Sequence, residues 1–224
     1  MCIRDSLLKA FNSQFPSNTL NRSDVLSTWA GVRPVIGAEK SKDPSKERRD
    51  HAVWSDNGLI TVSGGKLTTF RLIALDTLAA AKDNLPAAKD ISDDRVFLTP
   101  AITAKALSPE NTSWAQRLLG RYGDKAIDLV NESSPDERHN LNETEFSLAE
   151  CRWAIKYEAV EHLDDLLLRR TRLGMCLPYG GRNLYPALKE LFLSNQNWDD
   201  ERWQQEVTRY ETIWTKYYSL PSNV

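Results

Sequence analysis

The sequence predicts an α+β protein in which a short β-containing segment precedes an all-helical region. Two short apolar runs flank an Asn-Gly pair at Asn57, which is typical of a β-hairpin. A helical repeat of apolar residues follows the second run directly. From about Pro100 onward, apolar residues recur at helical spacing, and short polar breaks separate the repeats. We therefore expect two regions, residues 1–98 and residues 99–224.

The first fifty residues predict little regular structure. Residues 7–12 show a short helical pattern, and residues 24–30 are rich in residues that favour a strand, which Gly31 would end. Residues 38–49 are charged and include a proline. This composition indicates an exposed loop.

The hairpin and the helix that follows it are the clearest elements of the first region. Residues 51–55 and 59–63 predict two strands joined by Asp-Asn-Gly. Two adjacent glycines follow the second strand, and apolar residues at helical spacing then predict a helix over residues 66–84.

Two long helices dominate the prediction for the second region. Residues 147–171 predict one continuous helix that starts with a capping box, since Glu150 follows Ser147 by three positions. Its expected buried stripe consists of Cys151, Ile155, Ala159, Leu163 and Leu167. The final helix shows an apolar stripe formed by Trp203, Val207, Tyr210, Trp214 and Tyr217.

Composition and charge exclude several classes of protein. The 224 residues carry a formal net charge of -2, which gives no bulk electrostatic reason to expect nucleic acid. The cysteines Cys2, Cys151 and Cys176 have no zinc-binding or disulfide spacing, which favours a reducing compartment. No apolar run approaches the ~18 residues of a membrane-spanning helix. We expect a cytoplasmic protein, with peripheral attachment to the inner face of the cytoplasmic membrane as the alternative.

The segment "GGKLTT" is the first candidate binding site. Glycines allow close approach to the backbone, and the free N–H groups at a helix start attract negative charge. Gly64, Gly65, Lys66, Leu67 and Thr68 are therefore candidates to contact an anion or an electron-rich oxygen. The alternative is a simple turn from strand to helix with a solvated lysine. The segment is not the GxxxxGK[ST] of a P-loop, and the chain contains no GxGxxG.

The segment "AGVRP" is the second candidate. Pro34 restrains the backbone next to Arg33, so the guanidinium would be presented from a stiff position that suits phosphate or carboxylate. Arg49, at the end of the charged loop, is a weaker candidate for the same anion. A structural ion pair is the alternative for both arginines.

Other polar residues receive structural interpretations. Arg169, Arg170 and Arg172, near the end of a predicted helix, could bind an anion. We expect them instead to interact favourably with the helix dipole and to pair with carboxylates from a neighbouring domain. The three histidines, His51, His139 and His162, have no ligand spacing, so no metal site is predicted.

Taken together, the motifs "TWAGVRPVI", "RRDHAV" and "LITVSGGKLTTFR", in this order, resemble the C-terminal part of FAD-dependent, aerobic-type glycerol-3-phosphate dehydrogenases. These enzymes are members of the D-amino-acid-oxidase-like flavoprotein group. The helical segment "ECRWAIKYEAVEHLDDLLLRRTRLG" is similar to the signature helix of that family's C-terminal domain. The resemblance covers most of the chain after Leu7 and is weakest over residues 85–109.

The resemblance implies oxidation of sn-glycerol 3-phosphate to dihydroxyacetone phosphate, with hydride transfer to the flavin and electrons passed on to quinone. Arg33, with Arg49 as a second candidate, would bind the substrate phosphate. Gly64, Gly65, Lys66, Leu67 and Thr68 would lie near the pyrimidine end of the isoalloxazine ring of FAD. Residues 1–98 would then be the C-terminal remnant of the FAD-dependent oxidoreductase domain, and residues 99–224 the helical C-terminal domain.

The family also has several hundred residues, including GxGxxG, before "AGVRP", and "MCIRDS" does not resemble the family at that point. We therefore expect a fragment whose catalytic residues, and most of whose FAD site, lie in the missing portion. Two other hypotheses stay open: a helical module that binds a partner, and a related flavoprotein that acts on another anionic substrate.

Overall fold

A computed structural model of the chain describes residues 3–32, 50–85, 101–141 and 144–221. The chain forms two compact units, one of Met1–Ala30 with Pro100–Val224 and one of Gly31–Thr99. The larger unit is helical, and the smaller unit contains a hairpin and a helix. The predicted α+β class is therefore confirmed.

The larger unit begins with helix α1, Ile3–Gln14, which is longer than the predicted 7–12. A 3₁₀ turn, Arg22–Asp24, follows it. The strand predicted over residues 24–30 is wrong, because residues 25–30 have no strand partner in the described chain. Instead, the amide of Thr28 donates to the carbonyl of Tyr218 at 2.8 Å, so this segment is held by the end of the last helix.

The predicted hairpin is confirmed in the smaller unit. Strand β1, His51–Asp56, pairs antiparallel with β2, Leu59–Gly64. The turn residues Asn57 and Gly58 have φ of 47° and 85°. A two-residue turn with positive φ at both positions matches the right-handed twist of the strands, which explains the Asn-Gly pair.

The helix predicted over residues 66–84 is also confirmed, with altered ends. It consists of a 3₁₀ turn, Leu67–Thr69, helix α2, Phe70–Ala81, and a second 3₁₀ turn, Lys82–Asn84. None of the described residues of the smaller unit is buried, although its sequence is apolar. The exposed apolar side chains are Val32, Trp54, Leu59, Val62, Leu67, Phe70, Leu72, Leu78 and Leu85. An isolated two-stranded hairpin with one helix lacks the core that stabilises a domain.

The region after residue 100 is helical, as predicted. Its α-helices are α3, Ala104–Leu107; α4, Thr112–Tyr122; α5, Lys125–Glu132; α6, Leu148–Tyr157; α7, Leu173–Cys176; α8, Tyr185–Asn195; and α9, Asp200–Tyr217. A π-helical segment, Asp165–Arg170, and 3₁₀ segments, Asp136–Arg138 and Pro178–Leu184, lie between them.

Two apolar cores stabilise this region. The first contains Trp114, Leu118 and Leu129 of α4 and α5. The second contains Leu163, Leu167, Phe192 and Tyr210 among others. Helix α6 contributes Ala149 to the first core and Cys151, Ala154 and Ile155 to the second, so it joins the two.

The predicted continuous helix over residues 147–171 is wrong. Helix α6 ends at Tyr157, and Ala159, which we expected in the buried stripe, is exposed with a φ of 51°. The side chain of Gln196 donates to the carbonyls of Ile155 and Val160, at 3.3 and 2.8 Å. These bonds satisfy carbonyls that a continuous helix would have used. The other four stripe residues are buried, as predicted.

The capping box at the start of α6 is confirmed. The amide of Ser147 donates to a carboxylate oxygen of Glu150 at 3.0 Å, and both residues are fully buried. Arg117 of α4 forms an ion pair with the same carboxylate. Trp114 of α4 donates from its indole nitrogen to the hydroxyl of Ser147 at 3.3 Å. Polar groups therefore fasten α4 to the start of α6.

The stripe predicted for the last helix is confirmed in four of its five positions. Trp203 and Tyr210 are buried, whereas Val207 and Trp214 are half-buried. Tyr217 is 59% exposed, because it lies in the last turn, beyond the second core.

The compact units differ from the two predicted regions in the grouping of the first thirty residues. Residues 1–30 group with the helical region, and Ser27 and Thr28 both make hydrogen bonds to it. The assignment of residues 1–98 to an oxidoreductase domain stays a prediction.

We expect residues 100–219 to fold without the preceding segment, because both apolar cores lie within that range. The shortened chain should unfold in one cooperative thermal transition followed by far-ultraviolet circular dichroism. The complete chain is the control. A gradual, non-cooperative melt of the shortened chain would show that the helical region needs the earlier residues as a folding surface.

Candidate functional site

The two arginines predicted to bind substrate, Arg33 and Arg49, lie outside the described residues. The role predicted for each therefore stays a prediction. The described site consists of the turn between β2 and α2, which contains the five residues predicted to contact a flavin.

Both glycines of this turn have a left-handed backbone. Gly64 has a φ of 79° and Gly65 a φ of 83°. A Cβ atom at Gly65 would lie 2.5 Å from Cδ1 of Ile73 and 3.2 Å from Cβ of His51. The amide of Gly65 already donates to the carbonyl of Asp50 at 3.3 Å. Gly65 is therefore required for the packing of α2 against β1, which supports the structural interpretation of this residue.

Lys66, Leu67 and Thr68 present the free donors of the turn. All three are exposed, and Leu67 is 89% exposed. No carboxylate pairs with Lys66 in the described chain, and the amides of Leu67 and Thr68 have no acceptor there. These amides begin a helical segment, where the N–H groups carry partial positive charge. The turn can therefore receive an anion or an electron-rich oxygen.

These groups fit one end of a flavin. The pyrimidine end of the isoalloxazine ring carries carbonyl oxygens and gains negative charge on reduction, and N–H donors with a lysine stabilise that charge. The amide of Gly65 is the exception, since Asp50 already accepts its hydrogen bond.

A hydrogen bond that the sequence does not predict holds this turn. Nε2 of His51 lies 2.7 Å from a carboxylate oxygen of Asp76, so β1 is connected to α2 beside Gly65. The two residues are 25 positions apart, and no local pattern connects them. This contact gives His51 a structural role that the sequence did not indicate.

Of the three arginines after the helix break, only Arg169 pairs with carboxylates in the described chain, and these belong to the same helical region and not to a neighbouring domain. Arg169 pairs with Asp164 at 2.5 Å and with Asp165 at 3.0 Å, and Nε of Arg170 donates to the carbonyl of Glu158 at 2.7 Å. Arg172 differs, because it is exposed and no carboxylate pairs with it in the described chain.

Asp164 is the buried centre of an ionic cluster whose arginines are partly exposed. Its carboxylate pairs with Arg169 and with Arg209 of α9. Burial raises the pKa of Asp164, but the hydrogen bonds from both arginines outweigh it, so the net pKa lies below the usual range. Neighbouring Glu206 accepts from His162 at 2.9 Å and from Arg202 at 2.8 Å. The cluster fastens α9 to the segment after the helix break.

The described ranges hold neither a metal-ligand cluster nor a membrane-spanning helix. No group of His, Cys, Asp and Glu side chains in these ranges could hold a metal ion. Among the helices that are described, none is long and apolar enough to span a bilayer.

Comparison with known proteins supports the resemblance stated from the motifs. Residues 98–203 match the C-terminal domain of alpha-glycerophosphate oxidase. The chain is 32% identical over 206 residues to mitochondrial glycerol-3-phosphate dehydrogenase of Bos taurus, covering 84% of this chain and 28% of the bovine protein. It is 33% identical over 195 residues to aerobic glycerol-3-phosphate dehydrogenase of Bacillus subtilis, covering 75% of this chain and 34% of that protein. The chain thus spans about a third or less of these relatives, and the resemblance is confirmed.

We expect Gly65→Ala to open the hairpin–helix packing, because a methyl group would collide with Ile73. Gly58→Ala is the matched control, since Gly58 has a similar φ of 85° but a methyl group there would meet no atom within 4 Å. Hydrogen exchange of the β1 and β2 amides should accelerate more in Gly65→Ala than in Gly58→Ala. Adding Ile73→Val should restore part of the protection, and equal exchange in both alanine variants would contradict the packing role.

We expect Asp164 to shape the acid stability of the helical region. Its pKa is lowered on folding, so its contribution is present above the unfolded pKa of about 3.9 and is lost as pH falls through the lower folded pKa. Asp164→Asn should therefore reduce the free energy of unfolding at pH 7 and flatten its decline between about pH 4 and 2. Urea titrations across pH measure both effects. Asp128→Asn, on the exposed α5 surface, is the control, and an unchanged acid limb in Asp164→Asn would contradict the prediction.

Proposed function

Because the chain is similar along most of its length to the C-terminal part of glycerol-3-phosphate dehydrogenases, we propose that it forms that part of an FAD-dependent glycerol-3-phosphate dehydrogenase. The enzyme would oxidise glycerol 3-phosphate to dihydroxyacetone phosphate. The observation that best supports this proposal is that a single match, to the bovine relative, includes both the "GGKLTT" turn and most of the helical region. The FAD supplies the hydride acceptor when bound.

The residues of this chain would contribute to two parts of such a site. Arg33 would bind and orient the substrate phosphate, with Arg49 as a second cation. Lys66 and the amides of Leu67 and Thr68 would stabilise negative charge at the flavin ring, as their free donors support. The catalytic acid or base would come from the portion of the enzyme outside this chain.

The exposed apolar surface of the smaller unit supports the same proposal. Its hairpin and α2 have no buried residue among those described, yet Trp54, Leu59 and Phe70 are large and apolar. An exposed apolar surface of this kind marks a contact with another part of a protein. An oxidoreductase domain, to which the hairpin and α2 would belong, would supply that cover.

We further propose that the electrons pass to quinone and that the enzyme is cytoplasmic, with peripheral attachment to the inner face of the cytoplasmic membrane as the alternative. A quinone acceptor requires the protein to reach the bilayer surface. This assignment rests on the resemblance to aerobic-type dehydrogenases.

The direct test is to join this chain to the upstream portion of the Bacillus subtilis relative, in place of that protein's own matched segment. The chimaera should hold stoichiometric flavin and reduce a dye with glycerol 3-phosphate. This chain alone should bind FAD weakly and show no turnover. A chimaera that reduces the dye only with a carboxylate-bearing hydroxy acid would indicate a different flavoprotein, and stoichiometric flavin in the chain alone would contradict the division of the site.

We expect Arg33→Ala in the chimaera to raise KM for glycerol 3-phosphate about 10- to 100-fold, since a charged hydrogen bond contributes about 1.5–3 kcal/mol. The flavin content should not change. Arg33→Lys should recover part of the loss, because it keeps the charge but not the planar fork. A KM equal to wild type in Arg33→Ala would remove Arg33 from the substrate site.

We expect Lys66→Met in the chimaera to make the flavin midpoint potential more negative and its reduction slower, because the reduced flavin loses a stabilising cation. Spectroelectrochemical titration measures the potential. Lys82→Met, at the other end of the same helical segment, is the matched control. A potential equal to wild type in Lys66→Met would show that the lysine does not reach the ring.

A further inference from the structure

Three segments of the larger unit meet at the C-terminal end of α9. The hydroxyl of Ser27 donates to the carbonyl of Met175 at 2.9 Å, and that of Thr28 donates to the carbonyl of Ser219 at 3.1 Å. The indole nitrogen of Trp214 donates to the carbonyl of Gly174 at 2.7 Å. We name this end of the unit the α9 C-terminal face; its exposed side chains include Leu26, Trp29, Arg172, Cys176, Tyr179 and Tyr217.

Large aromatic side chains are exposed on this face. Tyr179 is 74% exposed, Trp29 71% and Tyr217 59%. Tryptophan, tyrosine and arginine are the residues most enriched at the energetic centres of protein interfaces. Three such aromatic residues on adjoining segments therefore indicate an interaction surface.

Two exposed residues of the face have a strained backbone. Arg172 and Tyr179 have φ of 59° and 53°, a left-handed conformation that is unfavourable for a residue with a side chain. Helix α9 holds this loop, because the hydroxyl of the buried Tyr210 donates to the carbonyl of Gly180 at 2.7 Å. Contacts with α9 therefore fix the loop that presents the exposed Tyr179.

Cations dominate the charge of the face. Arg172 has no carboxylate partner among the described residues, and the Lys216 ammonium lies 5.0 Å from the ring centre of Tyr217. Arg182 pairs with Glu211 and adds no net charge. A complementary surface would therefore be apolar at its centre and would offer carboxylates or carbonyls to Arg172 and Lys216.

The course of the chain indicates which part of the protein this face contacts. Residues 27–28 are fixed on the face, and the sequence runs from there directly into "AGVRP", the motif that resembles the oxidoreductase domain. The matched parts make up only 28% and 34% of the two relatives, so most of each relative lies outside the region that this chain represents.

We propose that the α9 C-terminal face is the docking surface for the flavin-carrying portion that precedes this region in the relatives. The inference rests on the proposed function. It assigns Trp29, Tyr179 and Tyr217 to the centre of the interface and Arg172 to an ion pair with that portion. The helical region would then fix the position of the segment that leads to Arg33.

Cys176 reports on this face directly, since it is exposed there, whereas Cys151 is buried. With Cys2→Ser as the common background, the rate of thiol modification is measured in this chain and in the chimaera. The rate at Cys176 should fall by about tenfold or more in the chimaera, because a docked interface excludes the reagent. Ser194→Cys with Cys176→Ser is the matched control, and its rate should be equal in both proteins.

The position of Ser194 makes it a suitable control. Phe192 of α8 contacts Trp203 near the start of α9, with ring centres 6.0 Å apart. Ser194 follows Phe192 by two positions, so it lies near the start of α9, at the end of α9 opposite the α9 C-terminal face. Helix α9 has 18 residues and is about 27 Å long.

The outcomes separate the two proposals. A chimaera that holds flavin and turns over substrate, but modifies Cys176 as fast as this chain does, overturns the docking face and leaves the proposed function standing. A folded chimaera without flavin overturns the proposed function and the docking partner with it. If the chimaera does not fold, the separately produced upstream portion is added to this chain. Protection of Cys176 that Tyr179→Ala abolishes then supports the proposal, and the absence of protection at saturation overturns it.

Discussion

The carboxylate of Glu150 is the interaction on which the helical region most depends. It is fully buried, and it accepts from the amide and hydroxyl of Ser147 while pairing with Arg117. A buried charge without partners is costly, so α4 and α6 must keep this relative position. Since α6 joins the two apolar cores, the same carboxylate fixes one core against the other.

The second constraint is the break after α6. Because the chain turns at Ala159, Asp164 and the π-helical segment meet α9 instead of extending away from it. Arg209 and Arg169 then hold Asp164 from two elements. This arrangement positions α9, and α9 in turn holds the strained loop that exposes Tyr179.

Local chemistry explains which elements could be predicted from the sequence. The hairpin depends on Asn57 and Gly58, and the start of α6 on a capping box, so both follow from neighbouring residues. Two predictions were wrong because remote residues form the hydrogen bonds, namely the strand at residues 24–30 and the unbroken helix over residues 147–171. The carbonyl of Tyr218 accepts from the first segment, and the side chain of Gln196 donates to a carbonyl of the second. At the candidate site, the sequence predicted the turn and its free donors. It could not predict that the amide of Gly65 donates to the carbonyl of Asp50, nor that His51 forms a hydrogen bond with Asp76.

The hairpin has a consequence for how the chain behaves at high concentration. Each of its two strands has one edge without a strand partner in the described chain, and alternate amides and carbonyls along that edge remain free to pair. Such an edge is a template on which the same strand of another molecule can add. Each strand has only six residues, which limits the template, but the β2 edge also carries Leu59 and Val62 in exposed positions. Cross-β association between copies would therefore start at the hairpin and not within the helical region.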